Sequence, residues 1–258
     1  MVVMDTIVKQ RADAPPGFFE AEAAGIRWLE QAGGARVAAV VDVSPGRIEL
    51  ERVEHAAPTQ QAAHEFGRGL AKTHQAGAPT FGSPPEGWDG PLFIGRREMP
   101  SIQSKSWGEF YAEGRVHPFA QAAVQAGNLT ESELRVVEQA CEAVAEGEFD
   151  DDAPPSRIHG DLWGGNVLFS PRGVVIIDPA AHGGHAETDL AMLALFGVPH
   201  LHNIIGGYES VAPLLTGWQE RVPLHQLHPL AVHAAGHGRA YGVELTRAAR
   251  ATLALANQ

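Results

Sequence analysis

The sequence predicts an α+β fold of two lobes, a small strand-containing N-terminal lobe and a larger, mainly helical C-terminal lobe. Three observations predict it. Strand-like runs are confined to residues 5–53 and to a short region near residues 157–178. Apolar residues at helical spacing fill most of the remaining chain. The second strand region brackets the loop His159-Gly160-Asp161-Leu162-Trp163-Gly164-Gly165-Asn166, and its last run ends in Asp178.

Asp5 to Gln10 reads as a strand, ended by Ala14-Pro15-Pro16-Gly17. Phe19, Ala23, Ile26 and Leu29 share one face of a helix over 18–31, which Gly33-Gly34 stops. Val37 to Val43 and Arg47 to Val53 read as strands joined by Ser44-Pro45-Gly46. The small lobe is expected to span 1–55 and the large lobe 56–258. A helix runs from Thr59 to His74, with Ala63, Phe66, Leu70 and Thr73 on one side and His74 in a structural role. Residues 77–105 are rich in Pro, Gly and Ser without periodicity and read as a long loop. Helices follow over 106–126 and 130–145, the latter opened by a Thr130/Glu133 capping box. Asp150-Asp151-Asp152 before Pro154-Pro155 reads as a solvated loop. Glu187-Thr188-Asp189 opens an apolar helix that runs to Phe196, its early acids suiting the helix dipole. His233 and His237 stand i,i+4 on a helix, but no third ligand sits at a recognisable metal spacing, so packing accounts for them.

Composition narrows the function. A chain of 258 residues with 44% hydrophobic and 19% charged residues is long enough for a substantial core. Its 19 basic and 31 acidic side chains, a formal −12, argue against nucleic acid or an anionic membrane as partner. Any phosphates must then be met locally. A lone Cys141 excludes an intramolecular disulfide and suits a reducing compartment. No apolar run reaches membrane-spanning length, and a cytoplasmic protein is expected.

The loop supplies the chemistry. H-x-D-x-x-x-x-N followed by a strand-end Asp is the arrangement of a kinase-type phosphotransferase. Asp161 at the loop apex is placed to accept or orient the proton of an attacking hydroxyl. Asn166, five positions on, offers a neutral oxygen to Mg²⁺, and Asp178 supplies an anionic ligand. Such folds also hold the nucleotide phosphates with a strand lysine braced by a helix glutamate. Lys9 and Glu22 fit those roles. Glu20 is the competing glutamate, about 200° around the helix from Glu22.

The run His-Gly-Asp-Leu-Trp-Gly-Gly-Asn, then Ile177-Asp178-Pro179-Ala180, then Gly184-His185-Ala186-Glu187-Thr188-Asp189, resembles the fructosamine (ketosamine) 3-kinase family. That family is a branch of the aminoglycoside-phosphotransferase-like kinases. The likeness extends from the Phe19 helix to Tyr241 and implies the protein-kinase-like version of the two-lobed fold. It implies ATP and Mg²⁺ as cofactors, and phosphorylation of the 3-hydroxyl of a small fructosamine or ribulosamine, which leads to deglycation. By the same resemblance Asp189 braces the catalytic loop through its backbone amides, and His159 shapes that loop. The alternative for Asp189 is a plain helix N-terminal carboxylate. Trp163 is expected to wall the acceptor pocket, or else to pack in the core, and Trp218 and Arg221 are candidates for the same pocket. Glu51 and Val53 fall where adenine would be met by backbone groups. The family carries a β-hairpin with a phosphate-covering loop before the lysine strand, whereas only eight residues precede Lys9 here. Other readings of the same fold are an aminoglycoside, choline or sugar kinase, or a nucleotide-binding protein without activity.

Overall fold

A computed structural model describes residues 5–256 and shows the two-lobed α+β architecture. Strands β1 (Thr6–Gln10), β2 (Val40–Ser44) and β3 (Arg47–Glu51) form an antiparallel sheet in the order β1-β3-β2. The Pro45-Gly46 turn works because Gly46 takes φ 76°, where a side chain would be strained. Ile48 and Leu50 point inward from β3 and are buried with helix α1 (Phe18–Gln31). Phe19, Ala23, Ile26 and Leu29 form the buried face of α1, as their spacing predicts.

Two strands are shorter than the sequence implies. Val37 does not join β2 but forms a bridge to Ile176, because Ala38 N–H donates to Ile176 O and Ile176 N–H donates to Arg36 O. This ties the small lobe to the strands beside the loop from His159 to Asn166. The third strand ends at Glu51, two residues before Val53.

Helix α2 (Gln60–Gln75), N-capped by Thr59, follows the sheet. One apolar core runs from Ile48 and Leu50 through Phe66 and Leu70 to Leu162, Val167 and Leu193, so packing is continuous across residue 55. Gly67 lets α2 lie directly on helix α7 (Leu201–Glu209), since a Cβ there would meet Ile204 O at 1.9 Å.

The stretch expected to be a long loop contains a hairpin, β4 (Leu92–Ile94) and β5 (Arg97–Met99). Strands of three residues are too short to leave a readable alternation. The turn falls at Gly95-Arg96, with Gly95 at φ 55°. Beyond it the helical run predicted over 106–126 is continuous but not uniform: α3 (Trp107–Tyr111), a π-helical turn (Ala112–Val116) and α4 (His117–Gln125). Pro118 has no N–H for the carbonyl of Gly114, and the Arg115 guanidinium takes that carbonyl at 2.8 Å instead. Helix α5 (Glu131–Ala145) carries the predicted capping box. Asp150 and Asp152 are exposed, as a solvated loop implies, while Asp151 is partly buried. Asp150 accepts the Gly108 N–H at 3.1 Å, and Asp151 faces His185 Nε2 at 3.3 Å.

Strand β6 (Ser156–Ile158) pairs antiparallel with β9 (His182–Gly184), and β7 (Val167–Ser170) pairs with β8 (Gly173–Ile176). The loop from His159 to Asn166 hangs between these two ribbons. Helices α6 (Ala186–Phe196), α7, α8 (Trp218–His225), α9 (Leu227–His237) and α10 (Arg239–Ala256) complete the large lobe. Cys141 is buried among them. No helix among the described residues is long and apolar enough to cross a membrane.

Candidate active site

A cavity of about 810 Å³ opens between the small-lobe sheet with α1 and the loop between β6 and β7. Lys9, Glu22, Asp161, Trp163, Asn166 and Asp178 all line it. The structure thus gathers into one cleft six residues separated by up to 169 positions in sequence.

Lys9 projects from β1 and donates to Glu22 Oε1 at 2.7 Å and to Asp178 Oδ1. Glu22, not Glu20, makes this contact. Burial works to lower the lysine pKa, but the two carboxylates outweigh it and raise the value. Burial pushes the Glu22 carboxyl up, against the pull of Lys9. Asp178 sits at φ 56°, a left-handed conformation in which Asp is tolerated, and this turns the chain sharply out of the strand.

The loop is held from behind. Asp189, in the first turn of α6, is fully buried and accepts the His159 N–H at 2.8 Å and the Gly160 N–H at 3.0 Å. Its third partner is His74 Nε2 at 3.1 Å, and His74 Nδ1 lies 2.9 Å from the Tyr208 hydroxyl. Burial works to raise the Asp189 pKa, but His74, His159 and the backbone donors outweigh it, so the value is lowered. His159 is buried and neutral, its pKa lowered chiefly by burial. Its Nε2 lies 2.9 Å from Ile177 O and its Nδ1 accepts the Asp161 N–H at 3.2 Å, which sets the Nε2–H tautomer. Gly160 takes φ 79°, and a Cβ there would meet Ala180 O at 2.3 Å. Only glycine fits between Asp189 and the Ala180 carbonyl.

At the apex, Asn166 donates its Nδ2 to Asp161 O at 2.8 Å and lies 3.3 Å from Asp161 Oδ2. Burial, with smaller contributions from the Asp178 and Asp189 charges, pushes the Asp161 carboxyl up to about 7 despite the Asn166 hydrogen bond. A carboxylate held near neutral pH at a cleft wall is suited to taking a proton from a hydroxyl. Trp163 is 40% exposed, lies edge-on to Phe196 at 6.0 Å between ring centres, and faces the cavity rather than the core.

Four expected residues lie elsewhere. Glu51 is buried, its carboxylate engaged by Arg36 and Arg172, and its N–H donates to Ala39 O at 2.8 Å, so that group is not open to a base. Val53 follows β3 outside the cavity lining. Arg221 is drawn away by Glu187, with Nε 2.9 Å from Oε2, while Trp218 starts α8, and neither lines the cavity. Glu187, with His185 and His225, brings three metal-ligating atoms within 4.8 Å of one another. Arg221, Thr188 and Asp151 already satisfy that cluster with hydrogen bonds. His233 and His237 stack with Tyr241 and Phe196, in keeping with a packing role. Phe18, Phe93, Arg11 and Arg96 also line the cavity. Phe93-Ile94-Gly95 and the polar run after it carry only a weak resemblance to the family's substrate-side segment, and Arg11 and Phe18 carry no motif.

A sequence model of the fructosamine kinase family matches residues 4–254. A protein of Enterococcus faecium named as a ketoamine kinase is 29% identical over 92% of this chain and 84% of its own length. A Synechocystis protein of the same name is 32% identical over 86% of this chain and 74% of its own. The crystal structure of a Thermobifida fusca protein named as a fructosamine-3-kinase superposes with a TM-score of 0.90 at 44% identity, covering 97% of this chain and 86% of that one. A choline kinase from Streptococcus pneumoniae shares the fold, with a TM-score of 0.65 at 16% identity, covering 98% of this chain and 87% of that one.

Proposed function

Because the chain belongs to the fructosamine kinase family, and is therefore a phosphotransferase acting on a hydroxyl group, we propose that it transfers the γ-phosphoryl group of ATP to the 3-hydroxyl of a small ketosamine. The observation that carries this reading is the joint placement of Asp161, Asn166 and Asp178 around one cleft with the Lys9–Glu22 pair opposite.

The residues present fit a divalent cation. The amide nitrogen of Asn166 is occupied by Asp161, which leaves its Oδ1 without a hydrogen bond among the described residues. Asp178 gives one oxygen to Lys9 and keeps the other. A neutral and an anionic oxygen at the cleft wall form a hard-ligand set suited to Mg²⁺. When bound, Mg²⁺ would neutralise phosphate charge. Lys9 then meets the phosphates as Glu22 holds its ammonium in place. Asp161 accepts a hydrogen bond from the acceptor hydroxyl and takes its proton, while Asp189 and the His159 ring keep the apex fixed. Catalysis here is positioning and charge neutralisation. Trp163 gives the acceptor sugar an apolar face to pack on. A phosphate on O3 makes the ketosamine prone to release its amine, which makes deglycation the consequence of the reaction.

The test is ADP release from ATP and Mg²⁺ with fructosamine, ribulosamine, choline and aminoglycoside acceptors. Release dependent on a ketosamine is the expected result. Release with choline or an aminoglycoside alone, or none with any acceptor, would overturn the proposal.

A further inference from the structure

Three cations line the cavity, and two are committed. Lys9 is held by Glu22 and Asp178. Arg11 donates to Asp13 at 3.0 Å and lies 5.0 Å from the Phe18 ring centre. Arg96, at the exposed turn between β4 and β5, makes no hydrogen bond or ion pair among the described residues.

The hairpin that carries Arg96 is anchored on both sides. Ile94 and Met99 are buried, the Phe93 ring lies 5.1 Å from that of Phe18 on α1, and Arg97 Nη2 donates to Ala235 O at 2.5 Å near the end of α9. Strands fixed to both lobes present the turn to the same cavity as Asp161 and Trp163.

We propose that Arg96 is a specificity residue that reads a carboxylate on the acceptor, so that the preferred substrates are ketosamines formed on the amino group of free amino acids. This rests on the ketosamine kinase reading above. The rest of the cavity wall carries Glu22, Asp161 and Asp178 in a chain of net charge −12, so an anionic acceptor is repelled unless one cation is reserved for it. Lys9 and the Asn166–Asp178 pair serve the phosphates, which leaves Arg96. In a ketosamine of an α-amino acid about five bonds separate the sugar C3 from the carboxylate carbon, so at about 1.5 Å per bond the two lie at most about 7.5 Å apart. Arg96 and Asp161 line the same cavity of about 810 Å³. A guanidinium fork matches a carboxylate bidentately, whereas a neutral amide offers only one acceptor oxygen.

The experiment compares two acceptors with the same sugar, the ketosamines of glycine and of glycinamide. The wild-type protein is expected to favour the acid by about 10–100-fold in kcat/KM, the range of a charge-assisted pair. Arg96→Gln should bring the ratio close to unity, chiefly through KM for the acid, and Arg96→Lys should retain part of it. Equal use of both acceptors by the wild type would overturn the proposal while leaving the ketosamine reading intact. An Arg96→Gln variant that loses both acceptors equally and raises KM for ATP would assign Arg96 to the phosphates and overturn it too. No turnover of either acceptor would remove the ketosamine reading, and this proposal with it.

Discussion

Replacing Asp189 by Asn leaves the shape of the side chain almost unchanged and removes its charge. The native carboxylate accepts from His159 N–H, Gly160 N–H and His74 Nε2, with no exposure to water that could substitute for any of them. Asn keeps one acceptor oxygen and turns an NH₂ group toward donors. At least one backbone N–H of the catalytic loop is then left unpaired. A buried unsatisfied donor costs about 1–3 kcal/mol, and a hydrogen bond to a charged acceptor contributes about 1.5–3 kcal/mol. Together these give a loss of about 3–5 kcal/mol, or a fall in Tm of about 6–20 °C for a chain of this size. Because the released segment positions Asp161, turnover should also fall by about 10²-fold, the cost of a misplacement near 1 Å. Urea denaturation and single-turnover kinetics measure the two effects separately. The pH dependence has a definite sign. The folded pKa of Asp189 is lowered, so its contribution is present above the unfolded value near 4 and is lost as pH falls through the folded one. The stability gap between wild type and variant should therefore close in acid. A variant within about 0.5 kcal/mol of wild type at pH 7 would refute the bracing role, since that is the scatter of neutral surface changes.

Asp161→Asn should lower turnover by about 10²–10⁴-fold with nucleotide affinity nearly unchanged, and full turnover would remove the base assignment. The same variant should gain stability relative to wild type between pH 5 and pH 8, by at most about 1.4 kcal/mol per pH unit, because the native carboxyl titrates at about 7 and holds its proton more tightly than the unfolded chain. Paired chemical denaturation at the two pH values measures it. Lys9→Met strips the cation from Glu22 and Asp178, and kcat/KM for ATP is expected to drop by about 10²–10³-fold. An unchanged steady-state value would contradict the phosphate role.

The catalytic loop was legible because its geometry is local. Asp161, Asn166 and Asp178 lie within one hairpin-like unit, so the spacing alone brings them to one wall. Lys9 and Glu22 were also readable, since a strand and the helix after it must pack, and helical periodicity separates Glu22 from Glu20. Elements whose position depends on distant packing were not. Nothing near Arg221 in the sequence shows that Glu187, 34 residues earlier, will claim it. Glu51 was named for its backbone groups, but its N–H is taken by Ala39 O, and two arginines from other segments converge on its carboxylate. The β4–β5 hairpin has strands of three residues, below the length at which alternation is detectable, so the turn that carries Arg96 was not readable as a turn. His74 was assigned to structure on its helix, yet its partner Asp189 lies 115 residues away in sequence.

The three aspartates around the loop acquire different roles from one charge type through their surroundings. Asp189 has three donors and no water, so it stays ionised and serves as a fixed anchor. Asp178 has a lysine on one oxygen and an open second oxygen at the cleft wall, the arrangement a cation ligand needs. Asp161 is desolvated with only an amide N–H as partner, so burial first, and the two neighbouring negative charges to a smaller extent, push its carboxyl up to about 7. The Asp178 and Asp189 charges thus add to the effect of burial on Asp161. Neutralising either should lower the Asp161 pKa, and with it the acid limb of kcat/KM, even where no atom of Asp161 is moved.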